Sequence, residues 1–324
     1  MSLNKPIYKL LNWINIEKLQ STGLSRNINS IDFFKENPDK IDWYYLSGNP
    51  NAIELLEKNQ DMIYWYIISS NPNANKLLKK RQDKINWICL ALNNNQDNFN
   101  LFLENYNKID WYNISENKYS LELIKYYKNW NYWTYLSTNT NIEGIKIIRE
   151  NTNKIVWDAL SLNPYAIKIL EKNIDKINWD NLSANPCLDA IKLLQENPDK
   201  INWMYLSANP NAMNILLSNP DKIDWNLLSK NTNYKAIKLL QENPDKINWN
   251  YLSYNESAIN LLEKNQDKID WFFFSINPAI FKLDYEKMRI NNQDIYEDLI
   301  KEVMKPSRVF KNPDYDYLEE LFGD

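Results

Sequence analysis

Apolar positions along this chain follow a helical spacing inside a much longer period. Trp43, Trp65, Trp87, Trp111, Trp133, Trp157, Trp179, Trp203, Trp225, Trp249 and Trp271 are separated by 22 or 24 residues throughout. In "NPDKIDWYYLSG", Trp43 and Leu46 fall on one side of a helix, with Ile41 and Tyr45 on roughly the opposite one. A helix apolar on two sides is sandwiched between neighbours. In "NPNAIELLEK", Ala52, Leu55 and Leu56 follow the i, i+3, i+4 spacing of a single apolar face. Each row therefore predicts two short helices, A around the Trp and B after it. A helix of about ten residues is roughly 15 Å long, too short to be stable alone. Stacking must hold it. The pattern predicts an all-α fold, an α-solenoid of about a dozen two-helix rows of 22–24 residues.

Polar positions punctuate the rows. Asn stands six residues after every one of the eleven Trp, from Asn49 to Asn277. Six residues before, nine rows carry Asn, with Arg81 and Tyr127 as departures. Four after, ten rows carry Ser and one carries Ala91. Asn is a strong N-cap, and eleven of the thirteen Pro directly follow Asn, at the position where a helix needs no amide donor. Both Asn ladders therefore read as helix starts. Asp39, Asp199 and Asp221 in the first turn of A favour the positive end of its dipole. From Trp87 onward the spacing alternates strictly between 24 and 22. The extra two residues fall at the entry to helix B, predicting a longer B helix or a bulged entry in every second row.

The ends depart from the rhythm. Residues 1–37 read as an N-terminal cap with a degenerate first repeat, in which Ser21 takes the Trp position. The repeat array covers 38–277. Residues 278–324 read as C-terminal capping helices, "YEKMRINNQDIYEDLIKEVMKPSRV", and an acidic tail. About twelve rows at roughly 8–10 Å per helix layer predict a body on the order of 100 Å long, which superhelical curvature would shorten end to end.

The row Trp-x-x-Leu-Ser-x-Asn-Pro-x-Ala-Ile-x-Leu-Leu-x-x-Asn-x-Asp-Lys-Ile-x-Trp resembles the tandem-repeat α-solenoid proteins encoded in many copies by giant DNA viruses of amoebae, the mimivirus-like group. Their closing segment is similar to residues 285–309, and often reads His-Pro where this chain has Lys305-Pro306. The resemblance implies a viral protein acting in the infected cell, in the host cytoplasm or viral factory.

Composition narrows the chemistry. There is no His, which removes Ser-His-Asp and Cys-His nucleophiles and His metal ligands. Only four Gly are present, so no phosphate-cradling or dinucleotide loop can be assembled. Cys89 and Cys187 occupy different points of the row and suggest neither a disulfide framework nor a zinc site. No apolar run approaches a membrane span and no signal peptide is evident. The net charge of −4, from 38 basic and 42 acidic residues well mixed, does not favour nucleic acid or membrane as main partner. We expect no enzyme activity, no cofactor and no metal.

Five ladders are candidate surfaces. The Trp ladder could stack bases, but its flanking Ile and Leu read as core. The Asn ladders read as caps. Lys40, Lys84, Lys108, Lys154, Lys176, Lys200, Lys222, Lys246 and Lys268 stand three before Trp. They form either a phosphate-contacting stripe or partners for neighbouring carboxylates, with stems covering a neighbouring Trp. One before Trp come Asp42, Asn86, Asp110, Asn178, Asn202, Asp224, Asn248 and Asp270, expected to be exposed; the residue after Trp varies from row to row. In a solenoid the repeated residues build the scaffold and the varied exposed ones recognise partners. The strip beside the Trp is thus the candidate site for a protein partner, host or viral, and the Lys stripe the alternative for nucleic acid.

Overall fold

The computed structural model describes residues 5–114, 117, 123, 133–140, 142–292 and 301. The fold is an all-α repeat of short helices with two short strands among the described residues. We number rows by the position of the Trp, row 1 carrying Ser21, row 2 Trp43 and row 12 Trp271.

The rows have more parts than the two the sequence predicts. In row 9, helix A is Trp203–Ser207, a 3-10 turn at Pro210–Ala212 leads into helix B at Met213–Ser218, and a second 3-10 turn covers Pro220–Lys222. Helix A is thus shorter than expected and starts at the Trp itself. The Ile two before Trp is extended (Ile201, φ −66°, ψ 124°) and buried, which separates the "NPDK" turn from helix A.

This corrects one ladder. The Asn before "PDK" does not cap a helix with its side chain. Asn197 and Asn219 instead donate their amides back to the carbonyls of Leu193 and Ile215, 2.8 and 2.9 Å, and close helix B. Backbone at φ −131°, ψ 62° for Asn197 turns the chain there.

The spacing alternation has the two predicted outcomes. Rows 6, 8 and 10 carry nine-residue B helices, Ile142–Glu150, Leu188–Glu196 and Tyr234–Glu242. Row 4 keeps a six-residue B helix, Phe99–Glu104, behind a longer entry through Asn93, Asn94 and Asn95.

The core is continuous from row to row. The Leu three after Trp, the Ala and Leu of helix B and the Ile before Trp are buried along the array. Trp side chains are only half-buried, packed against this core with one flank open.

A ladder of buried amides joins the rows. Asn49 Nδ2 donates to the carbonyls of Ser25 and Asn27, 3.1 and 2.9 Å, and Asn71 repeats this on Ser47 and Asn49. Asn231 and Asn255 do the same near the other end. Each of these Asn also accepts from the amide two residues on, as Asn49 does from Asn51 at 3.0 Å.

The ladder does not end. Asn27 in row 1 donates to the carbonyls of Ser275 and Asn277 in row 12, 3.1 and 2.9 Å. Asn29 reaches Pro278 as Asn51 reaches Ile28, and the Gln20 amide meets Ser275 Oγ at 2.8 Å as the Asp42 amide meets Ser25 Oγ. Row 1 is therefore a full member of the stack, seated between rows 12 and 2. The solenoid closes into a twelve-row ring with the amide ladder running through Asn27, Asn49, Asn71, Asn93, Asn117, Asn139, Asn163, Asn185, Asn209, Asn231, Asn255 and Asn277.

Two expectations fall with this. The body is not extended to its full length, and the described residues 5–37 are not a cap facing water. A clasp locks the seam: strand β1 (Tyr8–Leu10) pairs antiparallel with β2 (Phe281–Leu283), and Lys9 meets Asp284 at 3.1 Å. The short helix Tyr285–Asn291 follows, tied back by Lys287 to Glu36. The rest of the expected closing segment, including Lys305-Pro306, and the acidic tail lie outside the described residues.

Candidate functional site

In a closed ring the elements nearest the axis are the most closely spaced. Helix A of row 1, Ser21–Arg26, packs directly on Trp271–Ile276 and on Trp43–Leu46, and Trp179–Ala184 likewise on its two neighbours. Successive B helices approach one another less closely. The A helices therefore form the inner wall and the B helices the outer layer.

Helix A turns its fourth and fifth residues, Leu206 and Ser207 in row 9, into the core. The Ser hydroxyl donates to the Trp carbonyl one turn back, 2.7 Å for Ser207, and accepts the amide of the next row's −1 residue, 2.9 Å from Asp224. The residues one and five after Trp are left on the open face. On this face lie Tyr44, Tyr66, Ile88, Met204 and Phe272, all at least 41% exposed.

The wall is not uniform around the ring. Through rows 12, 1, 2, 3 and 4 the residue after Trp reads Phe272, Thr22, Tyr44, Tyr66, Ile88. From row 6 to row 11 it reads Thr134, Asp158, Asp180, Met204, Asn226, Asn250. One arc is aromatic and apolar, the other polar and partly acidic. Neighbouring rows touch across it. Tyr44 meets Tyr64 edge-on at 5.2 Å, and Asp158 and Asp180 accept amides from Asn178 and Asn202 at 2.9 and 2.7 Å. Arg26 lies 4.1 Å over the Tyr45 ring and Lys230 4.0 Å over Tyr251.

The −1 ladder is less exposed than expected. Asp42, Asn86, Asp110, Asn178, Asn202, Asp224, Asn248 and Asp270 are half-buried N-caps of the A helices. Asp224 Oδ1 accepts from the Leu227 amide at 2.8 Å, and Asn202 Oδ1 from Tyr205 at 3.2 Å. Their oxygens are held by the backbone because helix A begins at the Trp, five residues later than the Asn-Pro start implies. The Asn members still offer their amides to the wall. The sequence signal was there: Asp or Asn directly before an apolar helical run is itself a helix-start sign.

The Lys stripe lies on the "PDK" turns, away from the A face. Lys108, Lys154, Lys176 and Lys246 each hold Nζ over the Trp of the preceding row, at 5.2, 5.0, 5.0 and 4.3 Å. Lys200, Lys222 and Lys268 sit 3.4–3.7 Å from the adjacent Asp199, Asp221 and Asp267. Lys18 of row 1 keeps the pattern over Trp271, at 5.0 Å. The open flank of Trp87, Trp133, Trp157, Trp225 and Trp271 is thus a seat for a cation from the next row.

Reactive chemistry is sparse. Burial pushes the Cys89 thiol up, partly offset by Tyr66, so it holds little thiolate at neutral pH. Among the described residues no group of three His, Cys, Asp or Glu is placed to hold a metal ion, and no helix is long and apolar enough to cross a membrane. No family model, no curated protein and no solved structure matches the chain.

Proposed function

We propose that this chain is a non-catalytic scaffold that binds another protein on the inner wall of its ring. The observation that supports this most is the contrast between repeated and varied positions. Ser and Leu of helix A and the Asn that follows it are spent on the core and the row-to-row ladder, whereas the residue after each Trp varies and, at Tyr44, Tyr66, Ile88, Met204 and Phe272, stays exposed. Exposed Tyr, Phe, Ile and Met are the residue types that enrich protein interfaces. In line with the viral resemblance, we place this binding in the cytoplasm or viral factory of an infected host cell, with a host or viral protein as partner.

The second reading is a nucleic-acid-binding array using Lys176, Lys200, Lys222, Lys246 and Lys268, favoured by their exposure on one side of the rows. Against it, those cations are already engaged by a Trp ring or an Asp of the scaffold. Affinity capture from infected cells separates the two. Tyr44→Lys with Tyr66→Lys and Met204→Lys should abolish recovery of the protein partner, while Lys200→Glu with Lys222→Glu and Lys246→Glu should leave it. The reverse result, with binding that falls steeply with salt, supports nucleic acid instead.

A further inference from the structure

The inner wall carries an excess of negative charge beside its aromatic arc. Among the described residues of the A face, at the positions one before and one, two and five after Trp, the acids are Asp42, Asp110, Asp158, Asp180, Asp224 and Asp270. The cations at the same positions are Arg26 and Lys230, each already stacked on a tyrosine of the next row. Those two stacks also show what the wall accepts: a guanidinium or ammonium laid on a tyrosine ring. Tyr44 and Tyr66, 41% and 58% exposed, present further rings with no such cation over them in the structure, and Asp42 and Asp270 stand within the same arc. Aliphatic surface at Ile88 and Leu92 continues the arc. An acidic, aromatic wall repels phosphates and attracts cations that carry apolar surface.

We propose that the inner wall binds a basic polypeptide segment, one that alternates Arg or Lys with apolar side chains, along the aromatic arc of rows 12, 1, 2, 3 and 4. This rests on the protein-binding reading above and names the chemistry of its partner. The cationic side chains stack on Tyr44 and Tyr66 and are drawn by the wall carboxylates; the apolar ones cover Phe272, Ile88 and Leu92.

The test is a fluorescence-anisotropy titration of the full chain against a short labelled peptide of alternating arginine and leucine. Beside it run the same peptide with glutamate for arginine and a labelled single-stranded oligonucleotide. The arginine peptide should bind, and its affinity should fall about tenfold in Tyr44→Ser/Tyr66→Ser and severalfold in Asp158→Asn/Asp180→Asn. Leu188→Ser/Tyr234→Ser, exposed on the outer B helices, should leave it unchanged. Circular dichroism checks that all variants fold. No binding of the arginine peptide, or binding indifferent to both wall variants, overturns the proposal. If the glutamate peptide binds through the same wall instead, the basic partner is wrong and the protein-binding reading stands. If only the oligonucleotide binds, and loses affinity in Lys200→Glu/Lys222→Glu/Lys246→Glu, both fall.

Discussion

Asn209 shows what one residue does in this fold. Its buried amide donates to the carbonyls of Ser183 and Asn185 at 3.2 and 2.9 Å, and its oxygen accepts the Asn211 amide at 3.1 Å. No other side chain of that size offers donors and an acceptor at once. Asn209→Ala leaves buried carbonyls unpaired and should cost about 2–4 kcal/mol of unfolding free energy, measured by urea titration. Asn209→Asp should cost more, since it turns a carboxylate toward the same carbonyls. A contrasting case sits between rows 3 and 4. There Asn75 Nδ2 donates to Asn98 Oδ1 at 2.8 Å, inside the core, at positions where other rows carry Ile or Met and Ala. Asn75→Ile alone strands Asn98 and should destabilise by about 1–3 kcal/mol. Adding Asn98→Ala removes both partners and should restore stability to the parent level or above it. Equal destabilisation by the single and double changes in the same titration would show that the pair is not coupled.

At the scale of the element, the A helices are only four to six residues long, so their ends matter more than their interiors. Asp224→Ala removes the oxygen that caps Trp225–Leu228 and should lower stability by about 0.5–2 kcal/mol, whereas Asp224→Asn should be close to neutral. A thermal melt of the three proteins ranks them, and an Ala variant as stable as the parent would refute the capping role. The rows themselves were legible because Trp, Ser, Leu and Asn recur in phase and each has one physical job. The start of helix A was less so. The "NP" dipeptides carry the strongest start signal in the row, but the turn they open stops after Lys, where an extended Ile is drawn into the core. The strands at the seam were illegible: three residues such as "YKL" carry no pattern by themselves, and pair only because closure brings residue 8 to residue 283. The candidate strip was displaced by two positions for the same reason as the helix start. Once the −1 residue is the cap, the exposed edge falls on the residue after Trp.

At the scale of the molecule, closure changes how the array should unfold. An open solenoid has two terminal repeats that lack a neighbour and fray first. Here row 1 has rows on both sides, and its Ser25 and Asn27 keep the phase of the repeat even though Ser21 has replaced the Trp. The seam is also where packing is tightest. A Cβ built on Gly23 would stand 2.6 Å from Ser275 Cβ and 3.0 Å from the Phe272 carbonyl, so only Gly lets these two A helices meet. At Gly48 the nearest atom is a methyl of Ile67 at 3.1 Å, which can give way. Native-state hydrogen exchange should therefore find the Gln20 and Asn27 amides about as protected as the Asn202 and Asn209 amides on the far side of the ring. Gly23→Val should force the seam open, expose rows 1 and 12 to fast exchange and raise the radius of gyration in small-angle scattering, because the freed ends drift apart. Gly48→Ala should do neither. Fast exchange at Gln20 in the parent protein, or a Gly23→Val profile identical to the parent's, would mean that the ring is not closed in solution. The inner wall would then be the concave side of an open arc.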